Sequence, residues 1–253
     1  MTIGCRLGHG VPADKEEKTL SNGAVVRNRI LAELPRKEYA RILPDLVRTT
    51  LKSGQVLYEP GAVMQSAYFL DTAIVSILSV AKDGTSIEVS LVGDEGVIGL
   101  PIVLRSYGLP YRIVVQTPGN AWKMKADLLR KEFDRCGSLH KAVLHYTHTL
   151  IVHLSQSSAC NRFHTIQQRL CRWLLTSQDR ARSSVLNSTQ EFLSQMLGVN
   201  RGSASQAASG LQRVGLIRYH RGQITILNRS GLEAAACECY RIVKVEFDRF
   251  FRP

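Results

Sequence analysis

The run from Ser188 to Leu211 (Ser-Thr-Gln-Glu-Phe-Leu-Ser-Gln-Met-Leu-Gly-Val-Asn-Arg-Gly-Ser-Ala-Ser-Gln-Ala-Ala-Ser-Gly-Leu) constrains this chain more than any other feature. Ser188 and Glu191 stand at capping-box spacing, which predicts a helix start. Phe192, Leu193, Met196 and Leu197 then form one apolar stripe at three- and four-residue steps. Gly198 supplies the left-handed backbone that ends a helix, and Asn200 is placed to cap a second one over residues 200–213. That second helix turns Ala204, Ala207 or Ala208, and Leu211 inward, and these small residues let it lie close to the first. Its outer face carries Arg201, Ser203, Ser205, Gln206, Ser209 and Arg213, with Gln190 at the start of the preceding helix. Such side chains donate to base edges and phosphates. The pattern is a helix-turn-helix, whose second helix fits the DNA major groove.

The next residues add to it. Leu216–Tyr219 and Gln223–Leu227 are β-rich runs flanking His220-Arg221-Gly222, a hairpin by residue type and spacing. A short hairpin directly after a helix-turn-helix is a wing. Arg218, His220 and Arg221 near its tip are placed to meet the phosphate backbone, which adds affinity without sequence information. Charge follows the same division. Residues 161–253 hold 14 of the 33 basic and 6 of the 21 acidic side chains, so this third carries +8 of the net +12. Basic charge gathers where a polyanion would bind.

Residues 26–126 differ in texture. A helical pattern runs over 26–43, interrupted at Pro35. From Leu51 the signals are β: Gln55–Tyr58, Ala67–Asp71, Ile74–Val80, Ser86–Val92, Arg112–Gln116 and Ala121–Met124, separated by Gly-containing turns such as Asp83-Gly84. Short strands at this spacing predict a small antiparallel barrel or sandwich. Residues 1–25 are polar and Gly-containing and read as a loose arm. Between the β region and the helix-turn-helix, Leu139, Val143, Tyr146, Leu150 and His153 alternate four- and three-residue steps, extended more weakly by Ser157 and Cys160. This is the a/d seam of a two-helix coil. Two surfaces can bury such a stripe, a second copy's helix or the barrel of the same chain; a parallel homodimer suits a DNA reader of two half-sites better. His153 within the seam reads as a hydrogen-bonded core residue rather than a pH switch.

Lys52-Ser-Gly-Gln-Val-Leu-Tyr-Glu-Pro-Gly61, Tyr68-Phe-Leu70, Asp83-Gly84 and Leu91-Val-Gly-Asp94 resemble the β-roll of cyclic-nucleotide-binding-like domains. With a winged helix following, the order of parts resembles the Crp/Fnr family of bacterial transcription regulators over roughly residues 26–240. The resemblance implies an α+β protein: a sensory antiparallel β-roll of jelly-roll type (26–126), a dimerisation helix (127–160), and a winged helix-turn-helix with a C-terminal helix (161–253). It implies a homodimer on a palindromic operator, with Arg201 as the base-reading residue at the helix N-terminus. RNA polymerase becomes a partner if the protein activates. Where the family has an acidic neighbour and a second reading arginine, this chain has Gly202 and Gln206, so its specificity differs.

The effector region departs further. Cyclic-nucleotide binders carry a Glu for the ribose and an Arg-Ser, Arg-Thr or Arg-Ala pair for the phosphate. Ile98 stands at the Glu position here, Leu109-Pro-Tyr111 occupies the region of the pair, and Arg105-Ser106 comes several residues early. Burying a phosphodiester without those partners costs several kcal/mol. The expectation is a pocket of Ile98, Leu100, Arg105, Tyr107, Tyr111 and Arg112, with Ile102 and Val103, that takes an unidentified small molecule or none, and not cyclic AMP.

Cysteine usage is sparse: Cys5, Cys136, Cys160, Cys171, Cys237 and Cys239 lack paired metal-ligand spacing, so thiols, no metal site and no cofactor are expected. Cys237-Glu-Cys239 on a helix would point its thiols apart, and reads as small apolar packing. Cys5 and His9 are too few for an iron–sulfur cluster and weak for haem. No apolar run approaches the ~20 residues that cross a bilayer, and no signal core opens the chain, so a cytoplasmic protein without a membrane partner is expected. No hydrolase, metalloprotease or phosphate-loop motif occurs, so an enzyme is not expected. A DNA-binding regulator is the reading; a small-ligand sensor acting through protein partners, including a cyclic-nucleotide-responsive one, is the alternative.

Overall fold

The computed structural model describes residues 26–106 and 108–250; the expected arm at 1–25, with Cys5 and His9, and Tyr107 lie outside the described residues. The expected helical stretch over 26–43 is two helices, α1 (Arg29–Ala32) and α2 (Arg36–Ile42), and a 3-10 turn at Leu43–Asp45. Pro35 divides them because its ring fixes φ near −65° and removes the amide donor that a continuous helix needs. It serves as the residue before the first turn of α2.

Eight strands follow: β1 (Val47–Leu51), β2 (Val56–Tyr58), β3 (Ser66–Leu70), β4 (Ile74–Val80), β5 (Ser86–Val92), β6 (Val97–Ile98), then the short α3 (Leu100–Val103), β7 (Tyr111–Thr117) and β8 (Gly119–Lys125). They form two antiparallel four-stranded sheets, ordered β1-β8-β3-β6 and β2-β7-β4-β5. Between them lies a core that includes Leu51, Phe69, Leu70, Val75, Val115, Ala121 and Met124. Two glycines are required by close approach. A Cβ on Gly96 would lie 2.6 Å from the Tyr146 hydroxyl, and Gly99 has φ +151° with Ala67 Cβ only 2.7 Å from where its own would stand.

The chain continues through α4 (Ala126–Phe133) into the 26-residue α5 (Ser138–Phe163), which runs three residues beyond the expected end at 160. The expected seam exists, but it faces inward. Leu139, Val143 and Tyr146 are at most 2% exposed and belong to the β-roll core. His153, 3% exposed, meets Ser90 Oγ at 3.3 Å and the Phe247 ring edge-on at 6.2 Å. Leu139, Val143, Tyr146 and His153 are thus covered within the chain rather than offered to a second copy, and Leu150, of the same expected seam, packs partly buried against the roll core. The barrel supplies more apolar surface in the same chain, and burial against it satisfies the same periodicity. The outward face carries Leu144, Ile151 and Leu154, 44%, 56% and 37% exposed.

The last third holds α6 (Ile166–Ala181), β9 (Val185–Asn187), α7 (Gln190–Leu197), α8 (Arg201–Arg213), β10 (Ile217–His220), β11 (Gln223–Ile226), α9 (Arg229–Ala235) and α10 (Cys239–Phe250). A second core, including Leu170, Leu174, Leu193, Met196, Ala204, Leu211 and Ile224, holds it together. The α10 helix runs back along α5 and places Val243 and Phe247 in the β-roll core. The fold is α+β, with a roll, a long helix and a helical C-terminal unit.

That C-terminal unit is also docked on the roll. Arg180 of α6 makes a buried ion pair with Glu95 at 2.7 Å, and Arg182 pairs with Asp94. Glu88 of β5 accepts from Ser76 Oγ at 2.7 Å and from Trp173 Nε1 of α6 at 3.1 Å. Gly198 lies so close to Ile87 that a Cβ there would stand 2.4 Å from its Cδ1.

Candidate nucleic-acid interface and effector region

The helix-turn-helix is built by capping. The first helix starts one residue later than expected: Thr189, not Ser188, accepts from the Phe192 amide at 3.1 Å. Ser188 is instead buried, its amide donating to the Gly222 carbonyl at 2.7 Å. Gly198 takes φ +61° and ends α7, where its amide and that of Val199 close the free carbonyls of the last turn. Asn200 then accepts from the Ser203 amide at 2.8 Å and opens α8. A side-chain cap of this kind stabilises a helix by about 1 kcal/mol.

Ala204, Ala207, Ala208 and Leu211 of α8 are buried, as their spacing requires. Arg201, Gln206, Ser209 and Arg213 are exposed, while Ser203 and Ser205 are partly so. Gln190 is exposed, and its amide nitrogen lies 3.4 Å from Ser205 Oγ, linking the two helices at their outer faces. Arg201 has no acidic neighbour in sequence, since Gly202 follows it. Its guanidinium reaches Glu191 of α7 at 3.1 Å instead, with both side chains more than half exposed. The carboxylate there holds the guanidinium fork without burying it. Neither residue is fixed by desolvation, so phosphate or base edges can displace the pair at little cost.

The wing is a two-residue hairpin in which His220 pairs with Gln223. Arg221 and Gly222 both take positive φ, +46° and +75°, the pattern of a type I′ turn. The strand β9, absent from the sequence reading, pairs with β11 and makes the wing part of a three-stranded sheet. Its length explains why it was missed: exposed–buried–exposed over Val185, Leu186 and Asn187 is too short a run to establish a period. Tyr219 fixes the wing to α8 and to the segment leading into α7: its amide donates to Gln212 Oε1 at 2.6 Å and its hydroxyl to the Ser188 carbonyl at 2.9 Å. Arg218, His220 and Arg221 are exposed.

Among the described residues expected around an effector, the apolar ones are core and the charged ones are paired at the surface. Ile98 lies in β6 opposite Tyr68 and is 2% exposed. Leu100, Ile102 and Val103 pack in α3 as core. Both guanidiniums are already engaged: Arg105 pairs with Asp134 at 3.1 Å and Arg112 with Glu59 at 2.8 Å, each substantially exposed. Tyr111 is 37% exposed at the start of β7.

The cysteines correct two expectations. Cys136 is disulfide-bonded rather than a thiol; it sits at a half-exposed turn. Cys160, Cys171, Cys237 and Cys239 are free and buried. Cys237 and Cys239 do not diverge, because Cys237 lies in the break between α9 and α10 rather than on a helix. They meet Cys160 and His164, the four donor atoms all within 4.8 Å of one another. The Cys160 and Cys237 sulfurs are 3.5 Å apart, and their shared hydrogen bond draws the Cys160 thiol down and pushes that of Cys237 up. Cysteines without paired ligand spacing in the sequence are thus gathered by the fold around one point.

Residues 48–136 match the family profile described as cyclic nucleotide-binding domain, and residues 168–235 match that of the Crp-like helix-turn-helix domain. FixK2 from Bradyrhizobium japonicum is 16% identical, with a TM-score of 0.66 over 76% of this chain and 98% of that one. A CRP-family transcriptional regulator from Thermus thermophilus is 19% identical, with a TM-score of 0.64 over 74% and 96%. The c-di-GMP-responsive global regulator CLP of Xanthomonas campestris is 15% identical, with a TM-score of 0.63 over 76% and 99%. Comparison with curated proteins finds no match. Among the described residues, no helix is long and apolar enough to cross a membrane. With a cyclic-nucleotide-binding-like roll leading through a long helix to a Crp-like helix-turn-helix, the chain belongs to the Crp/Fnr family of transcription regulators.

Proposed function

We propose that the protein is a homodimer that reads a palindromic operator through α8, with phosphate contacts from the wing. The observation that carries this reading is the exposed polar face that opens on the capped N-terminus of α8. There Arg201, Gln206 and Ser209 are free of the core while Ala204, Ala208 and Leu211 hold the helix in place. A bidentate arginine–guanine pair is worth about 1–3 kcal/mol of discrimination. Gly202 and Gln206, in place of an acid and a second arginine, give this protein its own half-site. The dimer contact is the outward face of α5, where Leu144, Ile151 and Leu154 repeat at seven- and three-residue steps and stay exposed among the described residues.

In this reading the roll does not take cyclic AMP. Ile98 fills the position of the ribose-binding carboxylate, and Arg105 and Arg112 lie in solvated surface pairs with Asp134 and Glu59 rather than among the buried residues around Ile98. An effector, if one acts, is of other chemistry, and RNA polymerase is a partner only if the regulator activates. Selection of bound duplexes from a random pool by the full-length protein tests the reading. It predicts an inverted repeat with half-sites about one helical turn apart, bound with an affinity that falls steeply as salt rises. A pool that never enriches, or binding that ignores salt, overturns it.

A further inference from the structure

The thiol cluster has the geometry of a metal centre. Cys160 and His164 sit one turn apart at the C-terminal end of α5, and Cys237 and Cys239 flank Glu238 at the α9–α10 break. The two halves are far apart in sequence, Cys160 and Cys237 being 77 positions apart, and the return of α10 along α5 brings them together. The cysteines are 0%, 4% and 2% exposed and form an apolar island separate from both main cores. Three polarizable sulfurs in one island are an uneconomical way to fill space that an alanine or valine would fill without the risk of oxidation.

The spacings fit one tetrahedral ion. Zinc–sulfur bonds of about 2.3 Å and zinc–nitrogen bonds of about 2.0–2.1 Å put tetrahedral ligand edges at about 3.8 Å between sulfurs and about 3.5 Å between sulfur and nitrogen. The Cys160–Cys237 edge is 3.5 Å, and Cys239 Sγ lies 3.6 Å from His164 Nδ1. A cluster of several metals would spread its ligands wider than the 4.8 Å that contains all four donors.

A second, independent observation concerns the histidine. His164 presents Nδ1 to the sulfurs while Nε2 faces the Glu238 carboxylate at 3.2 Å. A carboxylate on the far nitrogen fixes the proton there and leaves the near lone pair for a cation, the usual outer-shell arrangement of metal-ligating histidines. Charge fits as well. Three thiolates and one divalent ion sum to −1, and Arg169 and Arg172 bring compensating positive charge toward Cys160.

We propose that Cys160, His164, Cys237 and Cys239 form a mononuclear site for a divalent, thiolate-preferring cation of the zinc type, with Glu238 orienting the histidine. The four ligands leave no open position, so the site is structural. It staples the end of the long helix to the junction before α10, and so ties the DNA-binding unit to the helix that carries it. The site needs neither the operator nor the dimer, and its test involves no DNA.

Full-length protein, reduced and stripped with a chelator, is titrated with Co²⁺. The expected result is one cobalt per chain, with thiolate-to-cobalt charge transfer in the near ultraviolet and intense tetrahedral ligand-field bands in the visible, bleached by Zn²⁺. Cys237→Ser and Cys239→Ser remove the charge transfer. Glu238→Gln, a change at an exposed side chain, keeps the tetrahedral spectrum and weakens binding about 10–100-fold. In the wild type, Zn²⁺ protects the thiols of Cys160, Cys237 and Cys239 from alkylation, a readout independent of how the variants fold. Absence of tetrahedral bands from the reduced protein, bands that survive the serine variants, or alkylation unaffected by Zn²⁺ overturns the proposal.

Discussion

The winged helix and the β-roll use their polar side chains in opposite ways. In the winged helix, Arg201, Gln206, Ser209, Arg218 and Arg221 are exposed, and the ion pair of Arg201 with Glu191 is itself solvated. In the roll, the corresponding candidates are consumed. Ile98 and Leu100 are core, Arg105 and Arg112 hold carboxylates, and Asp94 and Glu95 hold arginines of α6. The first region keeps its donors for something outside the chain, whereas the second spends its charges on internal contacts. Much of the roll's polar capacity goes to holding the DNA-binding unit against it.

Helix α5 belongs to both regions and provides the largest expected effect. Val143 faces the roll at 2% exposure, while Ile151 faces outward at 56%. Val143→Asp should cost about 3–5 kcal/mol, because the carboxylate would be buried without a partner, and should lower the melting temperature of the chain itself. Ile151→Asp should leave that temperature within the small range of surface changes, about 0.5 kcal/mol, yet give a monomer by sedimentation where the wild type is a dimer. If the two substitutions exchange phenotypes, the assignment of the faces is reversed.

Arg201→Ala comes next, with an expected loss of about 1–3 kcal/mol on the selected operator and relaxed preference at one base pair per half-site. Arg221→Ala at the wing tip should weaken all sequences alike. An unchanged binding-site logo for Arg201→Ala would rule out base reading and leave the arginine as a phosphate clamp.

Legibility in the sequence followed the range of the interactions. The helix-turn-helix and its wing were readable because caps, stripes and turns act over a few residues: Gly198, Asn200 and the Arg221-Gly222 turn each do locally what their side chains dictate. The strands β4 and β5 were readable for the same reason. The seam of α5 was half readable. Its period marked a buried face correctly, but period alone does not say whether a second copy or the roll covers it. The thiol cluster was not readable as one site. Cys160-Asn-Arg-Phe-His164 carries a ligand-like spacing, but its other half joins only through the packing of α10 on α5. The CxC pair was misjudged because the helix breaks at Ala236 and Cys237. The outward Arg201–Glu191 pair was also invisible, since it links two helices across a turn.

A smaller effect concerns pH and the inner face of α5. Burial first, then the positive charges of Arg180 and Arg172, hold the His153 pKa well below its ordinary 6.5. Ser90 Oγ at 3.3 Å and the Phe247 ring at 6.2 Å bring no counter-charge to it. The unfolded chain takes up this proton below about pH 6.5 while the folded chain does not. The stabilisation from neutral His153 is therefore complete above about pH 6.5 and is lost as pH falls below it. His153→Gln should flatten the decline in melting temperature between about pH 7 and 5. Equal slopes for the two proteins would show that His153 is hydrated or proton-accepting in the fold.

The smallest expected effect is none at all, and it bears directly on how the roll spends its charges. A cyclic phosphodiester entering the roll would need a carboxylate for its ribose and a guanidinium for its phosphate. The chain offers Ile98 at the first position and, at the second, arginines already paired to Asp134 and Glu59. Releasing Arg105 or Arg112 is not itself costly, since both pairs are solvated. Carrying either one inward would oblige a buried core of Ile98, Leu100 and Ile102 to open around an anion. Cyclic AMP and cyclic GMP at millimolar concentration should therefore shift neither the melting temperature nor the operator affinity. The measurement is sensitive because any ligand at 100 times its dissociation constant adds about 2.7 kcal/mol to the stability of the state it binds. A saturable shift that disappears in Arg112→Ala but persists in Arg105→Ala would show that the Glu59 pair is a latch over the phosphate site, and that the roll keeps one donor for an outside partner after all.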